Sequence, residues 1–97
     1  MIVIRDTFRL KFGKAKEAIE QINKARELSS KADYKLGRAM MDVTGPSYTL
    51  VLELECESLS EYETLQKKVF SDESWKDWYK DFAPLIDSSH KEIFKLI

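Results

Sequence analysis

Two ionisable side chains in this sequence occupy positions where chemistry is conceivable. Asp6 interrupts an apolar series in which Ile2, Ile4, Phe8 and Leu10 alternate with mostly polar residues. Placing a carboxylate among such neighbours costs free energy unless it is paired or hydrogen-bonded. Asp6 is therefore either an acid or base in a pocket, or a structural carboxylate that lies at a wet edge or is bonded to a helix or a lysine.

His90 is the second candidate and the only histidine. If the even positions of the last strand point inward, His90 and Glu92 share a face with Asp6. A carboxylate–imidazole pair is suited to proton transfer at neutral pH. The competing interpretation is an exposed strand entrance, because His90 follows two serines. We predict Asp6 and His90 as the catalytic candidates.

An aromatic stripe lies just before Pro84, with members spaced three, four and seven residues from the first. Such a stripe usually packs into a core. The first helix of the chain, predicted over 14–30, offers mostly alanine on its inner face, however. Aromatic side chains opposite it either fill the gap or wall a small-molecule pocket. We expect Asp6 to border the same pocket. The predicted lining residues are Phe8, Trp75, Trp78, Tyr79 and Phe82.

Several site types are disfavoured by residue counts. Cys56 continues the apolar parity of the strand before it and is predicted to be a small buried side chain. One histidine and one cysteine cannot complete a structural zinc site. Three scattered glycines cannot form a phosphate-binding loop. We expect neither a metal nor a cofactor.

Length and charge limit the function classes further. Ninety-seven residues correspond to one domain, 1–97. A net charge of −1 argues against a general nucleic-acid binder. There is no apolar stretch of about 20 residues and no signal-peptide layout at the start, and the lone cysteine cannot form an internal disulfide. The expectation is a cytoplasmic protein without a membrane partner.

The elements that would position these residues follow from periodicity. Alternation predicts a strand over 2–12, ended by Gly13, and helical spacing predicts a helix over 14–30. Two further strands are predicted over 34–44 and 48–57, on either side of a Gly-Pro turn. They form a hairpin in which the numbers of two paired residues sum to 91. A capping box at Ser60 begins the second helical region, Ser71-Asp72 interrupts it, and a strand over 90–97 closes the chain. The apolar residues of this last strand occupy both odd and even positions.

This order, β-α-β-β-α-β, is typical of the ferredoxin-like α+β fold. That fold has a four-stranded antiparallel sheet with the helices on one face.

The chain also resembles the dimeric α+β barrel superfamily, above all its antibiotic-biosynthesis-monooxygenase-like and NIPSNAP-like branches. The resemblance rests on Phe12-Gly13-Lys14 before the Ala-rich helix, Tyr62-Glu63-Thr64-Leu65, Asp72-Glu73-Ser74-Trp75-Lys76-Asp77-Trp78 and Phe82-Ala83-Pro84-Leu85-Ile86-Asp87. It implies a homodimer packed sheet against sheet, with a pocket between helices and sheet in each protomer. The charge pattern indicates attraction between the two halves of the sequence, either within a monomer or across a dimer. Residues 1–41 carry ten Lys or Arg against five Asp or Glu, whereas residues 42–97 carry six against twelve.

The resemblance leaves two functions open, since one fold hosts many activities. The first is the binding of a small apolar or aromatic molecule between helices and sheet, without catalysis. The second is a cofactor-independent monooxygenase or isomerase of the antibiotic-biosynthesis-monooxygenase type. Haem degradation is not expected, because the first strand has no asparagine and the only histidine lies beyond Pro84.

Overall fold

The computed structural model describes residues 1–32 and 36–97, and it confirms the β-α-β-β-α-β order. The second helical region is two helices followed by a single 3₁₀ turn. The elements are β1 (Ile2–Leu10), α1 (Ala15–Ala32), β2 (Arg38–Met41), β3 (Thr49–Cys56), α2 (Leu59–Phe70), α3 (Glu73–Phe82), the 3₁₀ turn Ala83–Leu85 and β4 (Ile86–Lys95).

The four strands form one antiparallel sheet in the order β2-β3-β1-β4. The predicted hairpin register is confirmed, because Arg38 lies opposite Glu53 and Met41 lies opposite Leu50. This register separates apolar from charged side chains on both strands, and a slip by one residue would reverse every side chain.

The core lies between one sheet face, called here the inner face, and the helices. Its buried residues come from β1, α1, β3, α3 and the 3₁₀ turn. Phe82 is 1% exposed and meets the ring of Phe8 edge to face at a centroid distance of 5.4 Å. Ala18 and Ala25 on α1 are fully buried. Small α1 residues thus face bulky α3 residues, so aromatic rings fill much of the volume left by the alanines.

Strand ends differ from the predicted ones at two turns. β1 ends at Leu10, and Phe12 lies in the following loop with 88% exposure, tilted against the ring of Tyr48. β2 begins at Arg38, directly after Gly37, whose φ is +74°. A Cβ on Gly37 would lie 2.0 Å from the carbonyl oxygen of Glu53, so only glycine allows this close approach. Part of the predicted start of β2 falls at 34–35, outside the described residues.

The predicted cap of α2 is wrong by two residues. Ser58 is the N-cap, and its Oγ accepts a hydrogen bond from the backbone N–H of Glu61 at 3.2 Å. The Glu61 carboxylate accepts from the backbone N–H of Glu57. Ser58 and Glu61 have the same spacing as Ser60 and Glu63, and the helix begins at the earlier pair because β3 ends at Cys56. The predicted interruption at Ser71-Asp72 is confirmed, and Asp72 caps α3 by accepting a hydrogen bond from the N–H of Ser74 at 2.9 Å.

The ends of the last two elements also follow from local sequence. Pro84 sits in the 3₁₀ turn, and α3 ends at Phe82 as the proline requires. β4 begins at Ile86, four residues earlier than predicted. Within the described residues, none of the helices combines the length and apolarity needed to cross a membrane.

Candidate functional site

Asp6 lies on the inner face of the sheet, in the middle of β1. Its neighbours across the strands are Leu52 on β3 and Lys91 on β4. The side chain is 30% exposed, and its Oδ1 lies 3.8 Å from the Lys91 ammonium. Desolvation by the surrounding apolar residues raises the pKa of Asp6 above its ordinary 3.8, and the charge of Lys91 opposes part of that rise.

Tyr62 and Gln66 on α2 complete a polar cluster around Lys91. The Lys91 ammonium donates a hydrogen bond to the Tyr62 Oη and also lies 5.0 Å from the centroid of that ring. Gln66 Nε2 donates to the same oxygen at 2.8 Å. The cluster of Asp6, Lys91, Tyr62 and Gln66 therefore links the inner face of the sheet to the first two turns of α2.

His90 does not join this cluster, because the even positions of β4 do not point inward, which was the condition for His90 to share a face with Asp6. The residue numbers of pairs between β1 and β4 sum to 97 from Ile2 to Arg9, so His90 lies opposite Thr7. Antiparallel partners project to the same side of a sheet, which places His90 and Glu92 on the outer face. The His90 side chain is 65% exposed, with its Nε2 3.7 Å from Glu92.

The aromatic stripe divides between core and surface. Trp75 is 7% and Phe82 1% exposed, whereas Tyr79 is 60% exposed. Trp78 stacks on Phe82 at 4.7 Å and packs edge to face against Trp75 at 5.5 Å. Its indole N–H donates to the carbonyl oxygen of Gln21 on α1 at 2.6 Å, which anchors α3 on α1.

An apolar cavity of about 380 Å³ lies between the end of α2 and α3. Its walls contain three of the five predicted pocket residues together with side chains from α2. They are Val69, Phe70, Trp75, Trp78, Tyr79 and the stems of Lys76 and Lys80. Phe8, Phe82 and Asp6 do not line it. The structure therefore does not place Asp6 on the cavity of the tryptophans, because α3 turns its tryptophans toward α2 while Asp6 faces Lys91.

The outer face of the sheet carries a charged network. Glu53 is 7% exposed and accepts hydrogen bonds from Arg5 Nε at 2.7 Å and from Arg38 Nη2 at 2.6 Å. Arg38 and then Arg5 hold the pKa of Glu53 below its ordinary 4.5, because their hydrogen bonds favour the charged form. The Arg5 guanidinium also lies 5.0 Å above the ring of Phe94. An open cavity of about 510 Å³ covers this network and continues to Val3 and Leu96.

Sequence reasoning missed Tyr62, Gln66 and Lys91 as members of the polar cluster. Tyr62 precedes Leu65 and Val69 at helical spacing, so the pattern indicates an apolar helix position. Lys91 occupies an odd position of the last strand, and odd positions would face outward if the even ones pointed inward. The available signal was the unpaired charge of Asp6, which requires a cationic partner on a neighbouring inner-face position. In residues 1–32 and 36–97 no group of three His, Cys, Asp or Glu side chains could hold a metal ion. Cys56 is fully buried, as predicted for a small apolar side chain.

Comparison with known proteins gives a family and a fold. The sequence profile of the NIPSNAP family matches residues 4–97. A NIPSNAP family protein of Agrobacterium tumefaciens has a TM-score of 0.90 at 20% identity, over 99% of this chain and 85% of that one. A NIPSNAP domain protein of Burkholderia xenovorans has a TM-score of 0.87 at 16% identity, over 100% and 95% of the two chains.

A more distant structural likeness extends to another branch of the fold. A Nitrosomonas europaea protein, provisionally named an antibiotic biosynthesis monooxygenase, has a TM-score of 0.77 at 13% identity, over 100% of this chain and 99% of that one. At these identities the structural likenesses show the fold alone. Comparison with curated proteins gave no significant match.

Proposed function

Because the chain belongs to the NIPSNAP family, we propose that it binds a small apolar or aromatic molecule, and that the ligand occupies the cavity between α2 and α3. The family has a ferredoxin-like fold in the similar structures but no activity that the fold itself dictates. The proposal therefore depends on the site of this chain.

The observation that carries the proposal is the cavity itself. Its volume of about 380 Å³ falls within the range of small-molecule sites, about 300–1,000 Å³. Its walls are aromatic rings and one valine, apart from two lysines. Both lysines are engaged on their own helix, Lys76 with Glu73 at 3.2 Å and Lys80 with Asp77 at 3.8 Å. The walls therefore select a ligand by shape and apolar surface more than by charge.

The proposal is tested with N-phenyl-1-naphthylamine, a neutral aromatic probe whose fluorescence rises in apolar sites. We expect saturable binding by the protein. Phe70 and Tyr79 are 68% and 60% exposed, so Phe70→Ser and Tyr79→Ser should leave the core intact and weaken binding at least fivefold. Phe12→Ser is the matched control, because Phe12 is 88% exposed and lies outside the cavity. Absence of saturable binding, or equal binding by Phe70→Ser and wild type, would contradict the proposal.

We propose in addition that the protein is a homodimer in which two outer sheet faces meet. Among the described residues this face carries Arg5, Arg9 and Arg38 against Glu53, Glu55 and Glu92. A two-fold copy of a face with both charge signs can place opposite charges together, and closed two-fold symmetry is the commonest mode of association. Met40, Phe94 and Leu96 supply apolar contact, since they are 39–48% exposed on this side or at its edge.

The alternative, a cofactor-independent monooxygenase or isomerase, draws on the likeness to the Nitrosomonas europaea protein, which supports the fold. It requires polar groups that converge on a substrate. Asp6 and His90 lie on opposite faces of the sheet, so this pair does not supply them.

A further inference from the structure

Tyr62 carries a hydroxyl hydrogen that has no acceptor in the part of the chain that the structure describes. Its Oη accepts one hydrogen bond from the Lys91 ammonium and a second from Gln66 Nε2 at 2.8 Å. A phenol oxygen has two lone pairs and one O–H group. With both lone pairs engaged, the hydroxyl of Tyr62 can donate its hydrogen to solvent or to a bound molecule.

Lys91 and Gln66 can also stabilise negative charge that develops on the Tyr62 oxygen during a reaction. When a phenol loses its proton, negative charge develops on the oxygen. An ammonium and an amide N–H that already donate to the oxygen stabilise this charge without reorganisation. The ring is held at the same time, because Lys91 Nζ lies 5.0 Å from its centroid.

Asp6 places a proton acceptor beside this donor. Its Oδ1 is 3.8 Å from Lys91 Nζ, so one lysine contacts both the acid and the base. The side chains of Lys91 and Asp6 are 39% and 30% exposed, so both remain accessible from solvent. Partial desolvation makes the Asp6 carboxylate a stronger base than one in water, as its raised pKa indicates.

We propose that Asp6, Lys91 and Tyr62 form an acid–base site that interconverts the keto and enol forms of a small carbonyl compound. The Asp6 carboxylate takes a proton from the carbon next to the carbonyl group. The electron pair of that C–H bond becomes a C=C bond, the carbonyl π pair moves to oxygen, and this oxygen takes the proton of Tyr62.

The resulting Tyr62 oxygen is stabilised by Lys91 and Gln66. The proton held by Asp6 then returns to Tyr62 through solvent, and no oxidant, metal or other reactant is consumed. Asp6 and Tyr62 are the catalytic residues, and Lys91 is a positioning residue because it acts through them.

The site is separate from the aromatic cavity. None of its residues lines that cavity, although both sites use α2. The acid–base proposal does not depend on ligand binding in the cavity, and either can fail while the other holds. The two are measured separately, by probe binding for the cavity and by the tautomerase rate in the assay below for the acid–base site.

The test is the ketonisation of phenylpyruvate enol, followed by its ultraviolet absorbance. We expect the wild-type protein to accelerate the reaction over buffer. Tyr62→Phe removes only the hydroxyl, and Asp6→Asn removes only the charge, so each should lower kcat/KM at least tenfold. Circular dichroism checks that both variants are folded. If Tyr62→Phe does not fold, Gln66→Met replaces it and should lower kcat at least threefold.

The positioning role of Lys91 is tested with a quantity that would not change if the residue were purely structural, namely kcat separated from KM. Lys91→Met should lower kcat at least tenfold with KM within threefold, and Lys91→Arg should restore at least a third of kcat. Tyr48→Phe and Lys95→Met are the matched controls outside the cluster and should stay within twofold of wild type. The proposal is overturned if wild type does not exceed the buffer rate, or if folded Tyr62→Phe or Asp6→Asn retains the full rate.

Discussion

At the residue scale, Asp6 and Glu53 show how neighbours of opposite character change the behaviour of a carboxylate. Asp6 lies among apolar side chains with one lysine at 3.8 Å, so burial dominates and its pKa rises. Glu53 accepts hydrogen bonds from two arginines at 2.6–2.7 Å, so charge pairing outweighs burial and the pKa of Glu53 falls. The ionised form of Asp6 is held at a cost, whereas the ionised form of Glu53 is stabilised.

The unfavourable burial of the ionised Asp6 carboxylate predicts how the stability of the fold changes with pH. A carboxyl group whose pKa is higher in the folded than in the unfolded chain stabilises the fold while it is protonated. Its contribution is present below the ordinary value of 3.8 and is lost as pH rises through the raised value. Active-site charges are often retained at such a cost to stability.

We therefore expect Asp6→Asn at pH 7 to have a free energy of unfolding within about 0.5 kcal/mol of wild type, or higher. Urea unfolding at pH 4 and pH 7 measures this, and the variant should lack the decline that Asp6 contributes as pH rises. A loss of about 1–3 kcal/mol at pH 7 would instead indicate a structural hydrogen bond. Such a loss, with normal catalysis and normal ligand binding, would remove Asp6 from the candidate site.

At the element scale, helix α2 begins where two serines compete for the same capping role. Ser58 is the observed N-cap, and its Oγ accepts the N–H of Glu61. Ser60 lies inside the first turn, where its backbone oxygen accepts the hydroxyl of Thr64 at 3.0 Å. The choice bears on the proposed acid–base site, because α2 carries Tyr62 toward Lys91.

Exchange of each serine for alanine tests this assignment. Ser58→Ala should lower the free energy of unfolding by about 1 kcal/mol, because one N-terminal N–H loses its partner. Ser60→Ala should change it by less than about 0.5 kcal/mol, because the bond to Thr64 uses the backbone. Chemical denaturation of both variants gives the comparison. Equal losses, or a larger loss for Ser60→Ala, would contradict the observed cap.

At the scale of the whole molecule, the outer sheet face is where we propose that two copies of the chain meet. It combines three arginines, three glutamates and exposed apolar side chains around an open cavity of about 510 Å³. Phe94 lies on this face, 41% exposed and stacked under Arg5. A charge introduced at Phe94 would be buried without a partner if two such faces meet.

Sedimentation at micromolar concentration should show a species of twice 11.3 kDa. Phe94→Glu should raise the dimer dissociation constant at least tenfold. Val43→Glu is the control, because Val43 is 99% exposed in the loop between β2 and β3 and should leave association unchanged. A stable monomer of about 11 kDa at high concentration would refute the dimer.

Much of the fold was predictable because its signals are local. Alternation in β1 and β3 placed Ile4, Leu50 and Glu53 on their correct faces, and the number sum of 91 gave the hairpin register. Asp72 begins α3 by accepting a hydrogen bond from a residue two positions later. Pro84 ends the same helix because it has no backbone N–H to continue it. Where two local signals were equivalent, as at Ser58 and Ser60, the choice depended on where the preceding strand ended.

The candidate site could be predicted only in part, and the difference lies in β4. The sequence by itself determined that Asp6 is a carboxylate on an apolar face and therefore needs a partner. It did not determine which partner. The apolar residues of β4 occupy both odd and even positions, so its sequence does not indicate which side chains face the core. Only pairing with β1, more than eighty residues away in sequence, turned Lys91 inward and His90 outward. Side-chain facing in a strand is a property of its register with a neighbour, and that register forms only when the sheet assembles.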